Sequence, residues 1–345
     1  LNNKVTIADI AKELNLTGAT VSRALNNRKG TSEETRKMVQ EAAERMNYRR
    51  DRIAWSLRSG RTNIIGVIIP SAEINFFGSV VHGIESMANQ HGYNVLIYQS
   101  NEQPEYEKKG IETFLSTRVD GILASIAKET MEFSHYLEIR ERGVPLVFFD
   151  RANDSLNIPS VVVDDYKGAY YATEHLIRQG YKRIAHIAGQ QHLKIFKDRL
   201  EGYKAALAAY GIPVEDELVY FGNVSIDAGR QAIQHLLQLP SPPDAVFAVE
   251  DFTALGAVKE LKDQKVEIPA EFGVIGFANE SFDEHITPSL SSIDQQTVQM
   301  GKEAFRLLME LIADGESTGV QTRSKIVLEP VPRYRQSSQR SGKIS

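Results

Sequence analysis

The 345-residue chain has no cysteine. That excludes a disulfide scaffold, a thiol nucleophile and any zinc or iron–sulfur centre built on thiolates. No run approaches the ~18 consecutive apolar residues that a membrane-spanning helix needs. The opening Leu1-Asn2-Asn3-Lys4 is polar and has no secretory apolar segment, so a cytoplasmic location is expected. Catalytic punctuation is also missing: no G-x-G-x-x-G, P-loop or H-E-x-x-H spacing occurs. The eight His are scattered, and His82, His91 and His135 sit in helical text with no partner at metal-ligand spacing. Asp164-Asp165 follows a strand and reads as a loop feature. An enzyme, a metal site and a resident cofactor are therefore not expected.

What is present is enough for two or three domains: 42% of the residues are hydrophobic, ample for more than one core. The net charge of −5 is unevenly spread. Residues 1–62 hold 13 Lys plus Arg against 7 Asp plus Glu, and the remaining residues are strongly acidic. A basic head on an acidic body points to a polyanion partner for the head, with a solvated basic surface as the plain alternative.

The head reads as three helices. Thr6 has N-cap character with Asp9 three residues on, followed by Ile7, Ile10, Ala11 and Leu14 on one face. A second helix begins after Thr17 and buries Val21, Ala24 and Leu25, while Gly18, Ala19, Thr20, Ser22 and Arg23 form a small, hydrogen-bonding face. Such a face lets a helix approach base edges closely. A third helix starts near Thr31 or Ser32, Thr31 and Glu34 having capping-box spacing, with Val39, Ala42, Ala43 and Met46 on one side. This is the layout of a helix-turn-helix module.

The wording goes further. Thr6-Ile7-Ala8-Asp9-Ile10-Ala11, Ala19-Thr20-Val21-Ser22-Arg23-Ala24-Leu25-Asn26 and Ser32-Glu33-Glu34-Thr35-Arg36 closely resemble the LacI/GalR family of bacterial repressors. The resemblance continues through Asn47-Tyr48 into Ala54-Trp55-Ser56-Leu57-Arg58-Ser59-Gly60-Arg61-Thr62. It implies a hinge helix that forms on operator DNA, with Leu57 as a minor-groove wedge and Ala54 where paired helices meet. A linker whose Leu57 packs on the core is the alternative. Arg50 replaces the family's Pro, which leaves the linker less restrained, and Trp55 stands where Arg is common.

From residue 63 apolar runs alternate with amphipathic helices. Ile64–Ile69, Asn94–Tyr98, Asp120–Ala124 and Pro145–Phe149 read as strands. Arg183–Ala188, Leu218–Phe221, Ala245–Val249 and Gly273–Phe277 repeat the theme. The expected fold class is an N-terminal all-α helix-turn-helix domain plus an α/β core of two doubly wound parallel-sheet lobes. Ligand chemistry is then expected at the carboxyl ends of the strands, in the interlobe cleft.

Asn75-Phe76-Phe77, Val119–Ile122, Arg199–Tyr203, Thr253–Gly256, Ile293–Gln295 and Met300-Gly301 resemble the same family's core, itself similar to periplasmic sugar-binding proteins. The likeness spans the chain to about residue 330. It implies helix-turn-helix domain 1–48, hinge 49–62 and core 63–330, with lobe one at 63–163 plus 292–328 and lobe two at 164–291. The effector cleft would be lined by Ile74, Phe77, Asp150, Arg199, Glu250 and Gln295. Core packing for Ile74 and Phe77, and an ordinary ion pair between Arg199 and Asp150, are the alternatives. Ala278-Asn279 stands where the family usually places Asp, and Glu250 where Asn is frequent. Asp251 is expected to cap the helix that follows. The tail 331–345, basic and rich in Ser and Gln, is expected to be disordered; without Leu heptads, a dimer is favoured over a tetramer.

The resulting expectation is a ligand-controlled repressor acting as a homodimer on a pseudo-palindromic DNA site. Thr17, Gly18, Ala19, Thr20, Ser22 and Arg23 would serve the major groove, with Lys4, Thr6, Arg28 and Lys29 near phosphates. Ala54, Leu57 and Arg58 would enter the minor groove. The effector is expected to be a sugar or sugar derivative; a sugar-binding module, or a regulator controlled by a nucleobase or a protein co-repressor, are the alternatives, and inducer and co-repressor stay equally open.

Overall fold

The computed structural model describes residues 5–26, 29–48, 61–314 and 325–340. They belong to two compact units, Leu1–Thr62 and Asn63–Ser345.

The first unit contains α1 (Ile7–Glu13), α2 (Gly18–Leu25) and α3 (Glu33–Arg45). Thr6 and Asp9 form a reciprocal capping box, the Thr6 N–H donating to Asp9 Oδ2 at 2.8 Å and the Asp9 N–H to Thr6 Oγ1 at 3.3 Å. Asn15 turns the chain into α2 with a left-handed φ of 51°, a conformation Asn tolerates better than most residues. Thr17 caps α2 as expected, its Oγ1 accepting the Thr20 N–H at 3.2 Å. The third cap is Ser32, not Thr31: Ser32 Oγ accepts the Thr35 N–H at 3.2 Å, so Glu33 and Glu34 lie in the first turn, where the helix dipole favours acid. Ile10, Ala11, Val21, Ala24, Val39 and Ala42 close a small core.

The second unit opens with β1 (Ile64–Ile69), α4 (Asn75–Gln90), β2 (Asn94–Gln99), α5 (Pro104–Thr117), β3 (Gly121–Ala124), α6 (Ser134–Glu141), β4 (Leu146–Phe149) and β5 (Ser160–Val163). It continues with α7 (Asp165–Arg178), β6 (Ile184–Ala188), α8 (Lys194–Ala209), β7 (Val219–Phe221), α9 (Ile226–Leu237), β8 (Ala245–Ala248), α10 (Asp251–Asp263) and β9 (Gly273–Ile275). The chain returns through β10 (Ser292–Asp294), α11 (Thr297–Asp314), β11 (Lys325–Leu328) and β12 (Val331–Arg333).

Two parallel sheets result, ordered β11-β5-β4-β3-β1-β2 and β7-β6-β8-β9. The unbroken apolar text of β1 follows from burial on both faces. Ile65, Val67 and Ile69 enter the core shared with α4 and α11, while Ile68 joins Ile111 and Phe114 of α5 on the other side. Gly66 lies so close to Phe114 that a Cβ there would sit 2.4 Å from the ring. The return helix is held just as tightly. A Cβ on Gly83 would come 2.2 Å from Val298 O, and one on Gly301 2.1 Å from Val80 O, so α4 and α11 pack backbone against backbone.

The sequence passes over β5, β10, β11 and β12. Each has only three or four residues. Their pairing partners are also distant in the chain: β5 takes β11 at its edge, with Ser160 beside Lys325, and β10 pairs antiparallel with β12, Asp294 opposite Val331.

Residues 331–340 correct the expectation of a disordered tail. Ser337 and Ser338 are fully buried. Ser337 Oγ donates to Val274 O at 2.7 Å and accepts the Ser291 N–H at 2.8 Å. Arg340 lies 3.9 Å over the Tyr181 ring, and its backbone N–H donates to Gln179 Oε1 at 3.0 Å. The polar Ser/Gln/Arg text that resembles a loose tail is instead a strap, because its polar groups meet backbone and side-chain partners of the second lobe.

Candidate functional site

The α2 face is as small as the sequence promises. Gly18, Ala19 and Arg23 are exposed, with Thr20 and Ser22 half-buried. A Cβ on Gly18 would meet only Ile7 Cγ2, at 3.9 Å, an ordinary contact, so the fold itself does not demand glycine there. Several polar groups of this face already have local work. Thr17 and Thr20 share a hydroxyl hydrogen bond of 2.9 Å, the Thr6 hydroxyl donates to Asp9, and Arg23 Nε donates to Ala19 O at 3.3 Å. Arg23 keeps its remaining donors on the surface, and Lys29 is exposed. Lys4, Arg28, Arg50, Ala54, Trp55, Leu57 and Arg58 lie outside the described residues.

In the second unit the strand ends converge as a doubly wound sheet requires. A cavity of about 300 Å³ opens between the lobes, with Ile126, Thr130 and Arg151 on one side and His192, Leu193 and Lys194 on the other. A second cavity, of about 240 Å³, shares Ala152, Asp154, Lys194 and Ile195 with it and is lined by Asp150, Asp165 and Asp198. Asp150, immediately after β4, takes a left-handed φ of 59°, a conformation uncommon for residues with side chains but one that Asp tolerates better than most. Ser125 Oγ lies 3.5 Å from Asp150 Oδ2, and Arg151 Nε 3.9 Å. Burial pushes Asp150 above the usual carboxylate range despite Arg151 and Arg199.

Arg199 is 2% exposed. It does not pair with Asp150. Its Nε and Nη2 donate to Asp165 Oδ1 at 2.8 and 2.7 Å, and Nη1 donates to Val249 O at 2.7 Å. The guanidinium also lies 3.7 Å over the Phe277 ring. The Asp164-Asp165 pair is therefore no idle loop feature: Asp164 caps α7, accepting the Lys167 N–H at 2.9 Å, and Asp165 closes on Arg199. Burial lifts Asp165 to about 7, outweighing the pull of Arg199.

Glu250 is half-buried at the end of β8. It, not Asp251, caps α10: its carboxylate takes the Thr253 N–H at 2.6 Å and the Phe252 N–H at 3.1 Å. Burial raises its pKa. Asp251 is turned inward, accepting the Ser292 hydroxyl at 2.8 Å and the Glu280 N–H at 3.0 Å. The cap fell one residue earlier because Glu250 has extended backbone, φ −159° and ψ 170°, as an N-cap needs. Phe77 is 2% exposed, edge-to-face with Phe76, and the Arg151 guanidinium sits 5.7 Å from its ring centre. Ile74 is the N-cap residue of α4 and packs half-buried on the core, contributing no polar group. Gln295 follows β10, 3% exposed, with Nε2 lacking a hydrogen-bond partner among the described residues.

The structure thus forms two groups, Phe77 and Asp150 around Arg151, and Asp165 and Val249 (next to Glu250) around Arg199, with Asp150 and Asp165 lining one cavity. Sequence reasoning missed Asp165, Arg151 and Glu280. Asp165 had one usable signal, since a buried Arg demands a carboxylate partner.

Family models match both parts of the chain. Residues 6–51 match the bacterial regulatory proteins of the lacI family, and residues 62–331 match the periplasmic binding proteins and sugar binding domain of LacI family. The HTH-type transcriptional repressor CytR of Escherichia coli is 34% identical over 318 residues, covering 92% of both chains. Among solved structures, a complex of the transcriptional regulator CelR with cellobiose is 28% identical, with a TM-score of 0.72 over 97% of this chain and all of that one. The lac repressor dimer bound to operator is 24% identical and shares the fold, with a TM-score of 0.85 over 98% of this chain and all of that one. The chain belongs to the LacI family of bacterial regulatory proteins and is a DNA-binding transcription regulator with an effector-binding domain, not an enzyme.

Proposed function

We propose that this regulator is a homodimeric repressor whose operator affinity is set by a hydroxyl-rich small molecule, a sugar or sugar derivative, in the interlobe cleft. The observation that carries the reading is Asp150: a buried carboxylate lining a cavity at a strand end, its pKa raised by burial and not closed by Arg199. A carboxylate in that position takes two hydroxyl hydrogens, whereas Phe77, buried beneath Arg151, packs in the core and lines neither of the two cavities. Arg199, closed by Asp165, adds little attraction for an anionic ligand. The cellobiose complex of the similar regulator CelR supports the same class.

Thr17, Gly18, Ala19, Thr20, Ser22 and Arg23 would meet the major groove, and Lys4, Thr6, Arg28 and Lys29 the phosphates. Ala54, Leu57 and Arg58 would serve the minor groove between half-sites. Ile97 and Tyr106 of the first lobe and Phe221 of the second are exposed apolar side chains and would be candidates for a contact between protomers.

A thermal-shift series on the full chain tests the reading, with cellobiose, free sugars, sugar phosphates, sugar acids and nucleosides. A ligand near 100-fold above its Kd adds about 2.7 kcal/mol. Stabilisation by a neutral carbohydrate, lost in Asp150→Ala, is expected. Stabilisation by nucleosides alone, or by no small molecule, would overturn the carbohydrate assignment.

A further inference from the structure

The two lobes touch at a point that neither the strand ends nor the family pattern assigns. Glu280 leaves the second lobe just after β9, and its Oε1 accepts the backbone N–H of Phe76 at 3.3 Å. Phe76 is the second residue of α4, in the first lobe, so the carboxylate caps a buried first-turn donor that has no partner within its own 16-residue helix. The contact joins residues 204 apart in the chain. Glu280 is 4% exposed, and its Oε2 has no hydrogen bond of good geometry among the described residues. It also lines a cavity of about 410 Å³ at the interlobe seam, with Asn75, Ser79, Asn279 and Asp294.

The segment that delivers Glu280 is strained. Ala278 and Asn279 adopt φ of 131° and 57°, two successive left-handed residues with side chains. Such backbone is costly for residues with side chains and persists only where its surroundings over-determine it. Those surroundings are visible. Asp251 accepts the Glu280 N–H, the Asn279 N–H donates to Ser292 Oγ at 2.9 Å, and Arg335 of the strap donates to Asn279 Oδ1 at 2.7 Å. Ser292 belongs to β10, a strand that carries the chain back to the first lobe. The clamp is therefore anchored on the hinge itself.

We propose that Glu280 is a positioning residue of the regulator, an interlobe latch that holds the lobe angle through the Phe76 N–H. The acceptor oxygen and its reach matter, and the charge does not. Only the operator readout below rests on the proposed function; the distance readout stands without it.

The absence of cysteine makes the test clean. Gln90→Cys and Ala270→Cys place spin labels on exposed residues of the two lobes, and pulsed dipolar spectroscopy reads the interlobe distance in full-length protein diluted with unlabelled chain. Glu280→Gln keeps an acceptor of the same reach and should retain the native distance distribution. Glu280→Ala and Glu280→Asn, the latter one methylene short, should both broaden it. Operator affinity without ligand should shift by at least about five-fold in Ala and Asn but not in Gln. Three distributions that superimpose on the parent would overturn the latch. So would equal displacement in Gln, Asn and Ala, which would make the contact one of charge or packing. A latch shown by distance with unchanged operator affinity would keep the positioning role and overturn its link to DNA binding. If Glu280→Ala does not fold, Gln against Asn alone decides.

Discussion

Arg199 and Asp165 hold one another inside the second lobe, Nη2 to Oδ1 at 2.7 Å, each side chain less than a tenth exposed. The pair turns a charge at the edge of the cleft into a fixed scaffold, with the guanidinium also tied to Val249 O and stacked on Phe277. Removing one partner leaves a buried charge uncompensated. Arg199→Met should cost about 3–5 kcal/mol in urea unfolding, and Arg199→Met with Asp165→Leu should recover most of it. Additive losses in the double variant would contradict a buried pair.

The buried carboxyls give the second lobe a pH dependence with a definite sign. Burial raises Asp251, and burial together with the neighbouring Asp251 raises Asp283, both well above the usual carboxylate range. Folded values above the unfolded ones mean the native state keeps protons that the unfolded chain has released. Stability therefore falls as pH rises from the usual carboxylate range through the folded values. His175 and His186, lowered to about 4 by burial, act in the opposite sense, but only below about 6.5. Unfolding at pH 7 and pH 9 isolates the carboxyls: the wild type should lose stability between them, and Asp283→Asn should lose less. Equal losses would remove Asp283 from the effect.

The strap predicts a penalty where a loose tail predicts none. Ser337→Ala removes the acceptor of the buried Ser291 N–H and the donor to Val274 O. The expected loss is about 1–3 kcal/mol by denaturant unfolding. A neutral substitution would mean that residues 331–340 do not hold the lobe.

On the DNA side, Gly18→Val and Arg23→Ala should leave the melting temperature of the full chain within a degree or two, since neither position has a structural demand for its side chain. Operator affinity should fall, for Arg23→Ala by about 1–3 kcal/mol if it reads a base. Lys29→Ala should weaken binding across sequences and lower the log–log salt slope by about 1. Undiminished operator binding in all three would remove the α2 face from recognition.

Much of this was legible in the residues. The three-helix head was readable because Thr6, Thr17 and the apolar spacing are local signals, and strands such as β1, β3 and β6 because their apolar runs are buried on both faces. The short strands were not, since β5 and β11 are recognised as strands only once they lie side by side. Glu250 took the cap expected of Asp251, and Ser32 settled a start left open between Thr31 and Ser32, because backbone conformation decides between adjacent polar residues. Asp150 and Arg199 stand out in the residues as charged groups, but the partner of Arg199 does not: an ion pair between residues 165 and 199 depends on how two helices pack, which no spacing reveals. The strap was misread for the same reason, its polar text being satisfied by backbone contributed from residues 274 and 291.

The most direct test of the whole account is operator affinity by fluorescence anisotropy at fixed salt, measured with and without the carbohydrate that stabilises the full chain. The account predicts a change of five-fold or more, matched by an equal change in ligand affinity when operator is present, and lost in Asp150→Ala. A ligand that stabilises the protein but leaves operator affinity unchanged would contradict it.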